Sequence, residues 1–109
     1  KEFHQSVIET VELFIKEIHN AYLPVHKRLN DIWQVNDNQL LSTELEKIVS
    51  DNKAAYEGVN KWIYQATQQA AKTDIQIATF LNVNREIFTA NRLFADCLKD
   101  VLQLSKEIT

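Results

Sequence analysis

Residues 74–105 read DIQIATFLNVNREIFTANRLFADCLKDVLQLS, with apolar side chains returning every three or four positions. One face carries Ile77, Phe80, Leu81, Phe88, Ala95, Leu98 and Leu102, and it is extended sideways by Ile87, Phe94 and Val101. This spacing follows the turn of an α-helix and predicts one long amphipathic helix. At 1.5 Å per residue, the helix is roughly 45 to 50 Å long. A helix of this kind is stable only when its apolar face packs on other helices, which indicates a helical bundle.

The first third of the chain shows the same periodicity. Its apolar stripe consists of Phe3, Val7, Ile8, Val11, Ile15, Ile18, Tyr22, Val25, Leu29 and Ile32. Pro24 lies within the stripe, where it removes a backbone donor and crowds the carbonyl of Asn20, so we expect a kink there. The stripe keeps its phase past Pro24, which favours one bent helix. The helix is expected to end in residues 35–38, which favour turns.

A second helix is expected between these two. Thr43 and Glu46 have the spacing of a capping box, which predicts the start of this helix. Gly58 lies in its middle and is interpreted as the mark of a close helix crossing. The helix is expected to end near residues 71–72, and a second capping box at residues 73–76 predicts a joint of only two or three residues.

Three long helices with short connections predict an all-α fold, an antiparallel three-helix bundle that runs up, down and up. The chain has one Gly and one Pro in 109 residues, so tight hairpins and phosphate-binding loops are not expected. With 45% hydrophobic and 25% charged residues, residues 1–109 fit one globular domain. Because the chain begins at Lys1 and contains no Met, we expect this domain to be part of a longer protein.

Charge and composition exclude several functional classes. The net charge of −3 argues against a nucleic-acid partner, because neutralising phosphates requires clustered Lys and Arg. No stretch approaches the roughly 20 apolar residues that cross a bilayer, so this segment is not expected to span a membrane. The single Cys97 cannot form an internal disulfide, and we expect it to be a small packed residue. No catalytic motif is present, so we predict that the chain is not an enzyme.

Polar residues interrupt the apolar faces. Asn84 and Asn91 lie seven residues apart near the centre of the third helix's apolar arc, and Asn52 has a comparable place in the second helix. Such amides either fix the register of helix pairing or line a polar, partner-facing groove, and the second interpretation requires access from solvent. Each of the two amides of the third helix is followed by an arginine, and this heptad repeat places Arg85 and Arg92 side by side on the flank of the helix.

Acidic residues follow on the same helix. Asp96 lies four residues after Arg92, so the two can form an ion pair across one turn. Asp96 and Asp100 place two carboxylates on adjacent turns, where they form either a solvated surface or part of a site for a divalent or trivalent metal ion. Two ligands do not complete a metal site, so further ligands would have to come from a neighbouring helix or a second chain.

The third helix resembles the last helix of PhoU-like domains attached to bacterial sodium/phosphate cotransporters. The resemblance rests on residues 81–86 (LNVNRE), 90–93 (ANRL) and 95–100 (ADCLKD). It implies a domain at the cytoplasmic face of the membrane that regulates phosphate uptake, with the transmembrane part of the same chain as its partner. It also implies that Asp96 and Asp100 match the metal-binding carboxylates of stand-alone PhoU proteins, and that pairing in a homodimer would supply a second repeat.

Two other functions stay open on the residues alone. An extracytoplasmic helical sensor of a chemoreceptor or kinase would bind a small ligand between its helices. A metal-dependent enzyme would use the third-helix carboxylates, and its stability would rise when Mn²⁺, Fe³⁺ or Mg²⁺ is added.

Overall fold

A computed structural model describes the backbone of residues 2–69 and 74–108 and the side chains of residues 7–66 and 76–104. Its helices are α1 (Glu2–Asp31), α2 (Asn38–Gln69) and α3 (Asp74–Ile108), and a short 3-10 helix, Ile32–Gln34, follows α1. No β-strand occurs in the described backbone, residues 2–69 and 74–108. The molecule measures 63 × 20 × 20 Å, as expected for long helices lying side by side. The predicted all-α three-helix bundle is confirmed.

α2 lies in the middle of the bundle and packs along both neighbours. On one side Arg28 of α1 binds Asp51 of α2, and on the other Asn52 of α2 donates to the carbonyl of Phe88 in α3. α1 and α3 run parallel to each other, and their backbones come close at few positions. Their side chains still meet in the interior, where the rings of Phe14 and Phe80 stack with centroids 4.2 Å apart. The side of the bundle between α1 and α3 is therefore the open one.

α1 continues through Pro24 as one helix, as the unbroken phase of its stripe predicts. It gives way to the 3-10 helix at Ile32, which is closed by a hydrogen bond from the Val35 amide to the Ile32 carbonyl. Residues 35–37 are non-helical, so the turn predicted at residues 35–38 is confirmed except for its last residue, Asn38, which belongs to α2.

The predicted start of α2 at Thr43 is wrong. The helix begins at Asn38 because Asp37 caps it: its Oδ1 accepts a hydrogen bond from the Gln39 amide at 3.0 Å, and its carbonyl accepts one from the Leu41 amide. Thr43 lies inside the helix, where its Oγ1 donates to the Gln39 carbonyl at 3.0 Å. A threonine bonded back to the preceding turn in this way no longer serves as a cap.

Gly58 does not mark a close helix crossing. A Cβ placed on this residue would meet no atom within 4 Å, and Gly58 is exposed. The close-approach interpretation fails because the space beside the residue is open. The predicted end of α2 and the second capping box involve residues 70–73, which lie outside the described residues.

The apolar core is a single cluster that draws most heavily on α2. Its buried members are Phe14, Tyr22, Val25, Ile32, Leu45, Ile48, Ala55, Val59, Ile63, Phe80 and Ala95. Fully burying one large side chain of this kind contributes about 1.5 to 3 kcal/mol. The cluster holds both outer helices against α2 and leaves the outer flanks of α1 and α3 free of it.

Candidate functional site

Asn84 forms a buried hydrogen-bond junction of the three helices. Its side chain is fully buried, and its Oδ1 accepts a hydrogen bond of 2.6 Å from the hydroxyl of Tyr22 in α1. Its Nδ2 donates to Asn60 Oδ1 and to the Tyr56 carbonyl in α2, at 2.9 and 3.1 Å. Both ends of the amide are therefore satisfied by partners on both other helices.

A second junction joins α2 to α3. Asn52 is buried, and its Nδ2 donates to the Phe88 carbonyl at 2.9 Å while its Oδ1 accepts from Nδ2 of Asn91 at 3.0 Å. Among the described residues, no buried side-chain N or O atom is without a hydrogen-bond partner. The register-fixing interpretation thus applies to Asn84 and Asn52, whereas the partly exposed Asn91 also lines a surface groove.

Tyr22 contributes a titratable group to this interior. Burial raises the pKa of its phenol well above the ordinary value, and the nearby Tyr56 phenol adds to the increase. The neutral hydroxyl is the form that can donate to Asn84 Oδ1. Proton loss would place an anion against that oxygen inside the core, so folding holds the proton on Tyr22.

We expect this proton to make the protein less stable at alkaline pH. The folded-state pKa of Tyr22 lies above its unfolded value of about 10, so its stabilisation is complete below about pH 10 and is lost as pH rises above it. In Tyr22→Phe, the fall of the unfolding free energy with pH should be shallower by up to about 1.4 kcal/mol per pH unit. Urea unfolding followed by circular dichroism between pH 9 and 11 measures both slopes. The exposed Tyr64→Phe is the control, and equal slopes for Tyr22→Phe and wild type would contradict the expectation.

An ion-pair cluster that the sequence analysis missed ties α1 to α2. Arg28 donates from Nε to Asp51 at 2.8 Å and from Nη1 to Glu44 at 3.0 Å, and Lys47 reaches Glu44 at 3.3 Å. Hydrogen bonds from Lys47 and then Arg28 outweigh desolvation and hold the pKa of Glu44 below its usual value. In sequence, Arg28 is 16 residues from Glu44 and 23 residues from Asp51. The three- and four-residue spacings within one helix therefore gave no signal for the cluster.

The remaining predicted site residues of α3 lie on its surface. Arg85 is exposed and donates to Asn82 Oδ1 on its own helix at 2.9 Å. The predicted pair of Arg92 with Asp96 is not among the ion pairs found in the described residues. Both residues instead line a groove between α2 and α3. Asn52 and Asn91 bond to each other, Asn84 forms a separate junction, and neither Arg85 nor Arg92 is among the hydrogen-bond partners found there.

The carboxylates of α3 do not form a metal site with other described residues. Asp96 and Asp100 are both exposed, and Lys53, Arg92 and Lys99 line the groove beside Asp96. No group of three or more His, Cys, Asp or Glu side chains in the described part of the chain is arranged to hold a metal ion. A metal on these two carboxylates would need ligands from outside that part, and metal binding stays a prediction.

The most unusual surface is an exposed apolar stripe on α3, which we call the α3 stripe. Its members are spaced alternately by four and three residues: Val83, Ile87, Ala90, Phe94, Cys97, Val101 and Leu104. All are exposed except the partly buried Ile87. Alternating four and three is the spacing of a helix seam that packs on another helix. The expectation that Cys97 is packed is wrong, because its free thiol lies within this exposed stripe.

α1 faces the same open side with apolar groups. Trp33 lies in the 3-10 helix that follows α1 and is 69% exposed. Together with Leu29, His26 and Asn30, it forms one wall of a groove of about 400 Å³. The opposite wall consists of Ala90, Asn91 and Phe94. We call the α3 stripe together with this groove the open face.

The sequence pattern predicted that several residues now seen to be exposed lie in the core. Ile8, Val11 and Ile15 belong to the predicted apolar stripe of α1, yet all three are exposed. Ile87, Phe94 and Val101 were expected as a sideways extension of the α3 face; Ile87 packs partly against the core, whereas Phe94 and Val101 are exposed. The unusual width of the α3 apolar arc is the sequence signal for this surface, but a helical wheel does not show which part of the arc α1 and α2 leave uncovered.

Comparison with family models, curated proteins and solved structures gives no match to this chain. The PhoU-like resemblance of α3 therefore stays a prediction. Within the described residues, no helix combines the length and apolar character that crossing a bilayer requires.

Proposed function

We propose that this chain is a non-catalytic interaction domain whose binding surface is the open face. The observation that carries the proposal is the α3 stripe, where Phe94, Val101 and Leu104 are 46%, 61% and 57% exposed at the spacing of a helix seam. Large contiguous apolar patches on a folded domain generally mark sites of interaction with another macromolecule. Among the described residues the buried polar side-chain atoms all have partners in the interior, whereas these apolar side chains of α3 are left to contact a partner.

We further propose that the domain regulates a phosphate transporter from the cytoplasmic face of the membrane. This setting rests on the resemblance of residues 81–100 to PhoU-like domains of sodium/phosphate cotransporters. Those residues also carry Val83, Ala90 and Cys97 of the α3 stripe, so the segment that resembles the family is the segment with the exposed surface. The transmembrane part of the same longer chain is the proposed site of control.

Phosphate uptake tests this setting. Phe94→Glu, introduced into the full-length parent chain in its own cell, adds a charge to the open face without touching the core. We expect it to change the initial rate of radiolabelled phosphate uptake. Leu93→Glu is the matched control, since Leu93 is 60% exposed and lies outside the α3 stripe. Wild-type uptake in both variants, at equal protein levels, would overturn the phosphate setting.

The alternative of a ligand sensor is favoured by one feature, the groove between Trp33 and Phe94. Two aromatic side chains and the polar groups of His26 and Asn91 would suit a flat, partly polar small molecule. The groove lies within the open face, so a ligand and a protein partner would compete for the same residues.

A further inference from the structure

We propose that the occupant of the open face is a second copy of this chain, in a two-fold dimer whose helices run parallel. The inference rests on the proposed interaction function and names its partner. It comes from two observations: the apolar groups on α1 and α3 lie at the same end of the bundle, and the charges beside them complement each other.

Across such a two-fold axis, the apolar groups of α1 in one copy meet those of α3 in the other. A two-fold axis along the bundle places α1 of each copy against α3 of the other at the same height. Trp33 and Leu29 lie at the height of Ala90 and Phe94, because all four line one groove. In the dimer, the part of the α3 stripe around Ala90 and Phe94 therefore covers the Trp33 wall of the other copy, and these two surfaces are buried together.

Two charges border the open face and support the parallel orientation: Lys27 lies three residues before Asn30 of the groove wall, and Glu86 lies four residues before Ala90. The hydrogen bond from Tyr22 to Asn84 sets these residues at one height on the parallel helices α1 and α3. Counted from there at 1.5 Å per residue, Lys27 lies about 7.5 Å and Glu86 about 3 Å further along. The two exposed side chains thus differ in height by about 4.5 Å, which a lysine side chain can span.

Neither charge takes part in an ion pair among the described residues. The ion pairs of the described residues join Arg28, Glu44, Asp51 and Lys47, and include neither Lys27 nor Glu86. Across the dimer, Lys27 of each copy would pair with Glu86 of the other, twice by symmetry. An antiparallel dimer would instead stack α1 on α1 and separate these two residues, so complementarity selects the parallel form.

Light scattering and sedimentation equilibrium on the 109-residue chain test the dimer, from micromolar to submillimolar concentration. We expect a species of twice 12.7 kDa that dissociates on dilution. Phe94→Glu should raise the dissociation constant about 30-fold or more, because it puts a charge in the centre of the interface. Leu93→Glu, one heptad from Glu86 at the edge of the face, should weaken the dimer far less than Phe94→Glu. Circular dichroism is used to check that both variants keep their helix content.

A charge exchange tests the orientation. Lys27→Glu and Glu86→Lys should each weaken the dimer about three- to tenfold, and the double variant should restore it. Monomer at every concentration, or a dimer unaffected by Phe94→Glu, would overturn the proposed dimer. A double variant as weak as the single variants would overturn the parallel arrangement.

These results are separable from the proposed function. If the chain is only monomeric while Phe94→Glu still changes phosphate uptake, the second copy is wrong and the interaction function stands. If the dimer forms and Phe94→Glu breaks it without changing uptake, the dimer stands and the phosphate setting is wrong.

Discussion

Replacing Asn84 by alanine is expected to lower the free energy of unfolding by about 2 to 4 kcal/mol. The side chain is fully buried and bonds Tyr22 in α1 and Asn60 in α2. Its removal leaves a small cavity and deprives the buried Tyr22 hydroxyl of its 2.6 Å acceptor. Urea unfolding followed by circular dichroism measures the loss. Asn82→Ala, at an exposed position of the same helix, is the control and should change stability by no more than about 0.5 kcal/mol.

A double-mutant cycle isolates the Tyr22 bond from the rest of that loss. Tyr22→Phe removes only the hydroxyl, so Asn84→Ala should cost less in the Tyr22→Phe background than in wild type. The difference between the two costs of Asn84→Ala is expected to be about 1 to 2 kcal/mol. This is the contribution of a buried hydrogen bond between two side chains when breaking the bond also leaves a buried polar group unpaired. Additive losses would show that the Tyr22 bond contributes nothing to stability, and would contradict the part of the junction that joins α1 to α3.

The hydrogen-bond junctions at Asn84 and Asn52 explain how a chain with one Gly and one Pro folds with a single register of helix packing. Apolar stripes of similar width could pack in several registers, since a shift by one heptad returns the same pattern. Asn84 meets Tyr22, Asn60 and the Tyr56 carbonyl in one register only, and any shift leaves buried polar groups without partners. The amides therefore stabilise this pairing mainly by making others costly.

Periodicity and composition were sufficient to predict the helices, their order and the central position of Asn84 and Asn52. They were insufficient wherever two local signals compete. Thr43 matches a capping box, yet the turn-favouring Asp37 caps the helix earlier, and a pattern of single residues does not rank these two. The partners of a polar residue are also invisible to periodicity, because Tyr22 and Asn84 are 62 positions apart.

The sequence was also insufficient to predict which apolar side chains are exposed. A helical wheel shows that a residue lies on an apolar arc, but not how many neighbours cover that arc. Phe80 and Phe94 both lie on the apolar arc of α3, yet Phe80 is 6% exposed and Phe94 is 46% exposed. The difference arises because α1 and α2 cover only the inner part of the arc. The candidate site lies in the uncovered part, so the structure was needed to find it.

This pair of phenylalanines gives the second large prediction. Phe80→Ala should lower the free energy of unfolding by about 3 to 5 kcal/mol, because it removes the ring stacked on Phe14 and leaves a cavity in the core. Phe94→Ala should cost less than about 1 kcal/mol in the monomer, since its ring loses little contact. The same substitution on the same helix controls for helix propensity, and urea unfolding at the lowest workable concentration measures both.

Protein concentration then separates the two roles that an apolar residue of α3 can have. A core residue stabilises each chain by itself, so the loss in Phe80→Ala should stay constant as concentration rises. A residue that binds a second copy stabilises the folded state by mass action, so the loss in Phe94→Ala should grow with concentration. Equal losses for the two variants at all concentrations would place Phe94 in the core and remove the open face as a binding surface.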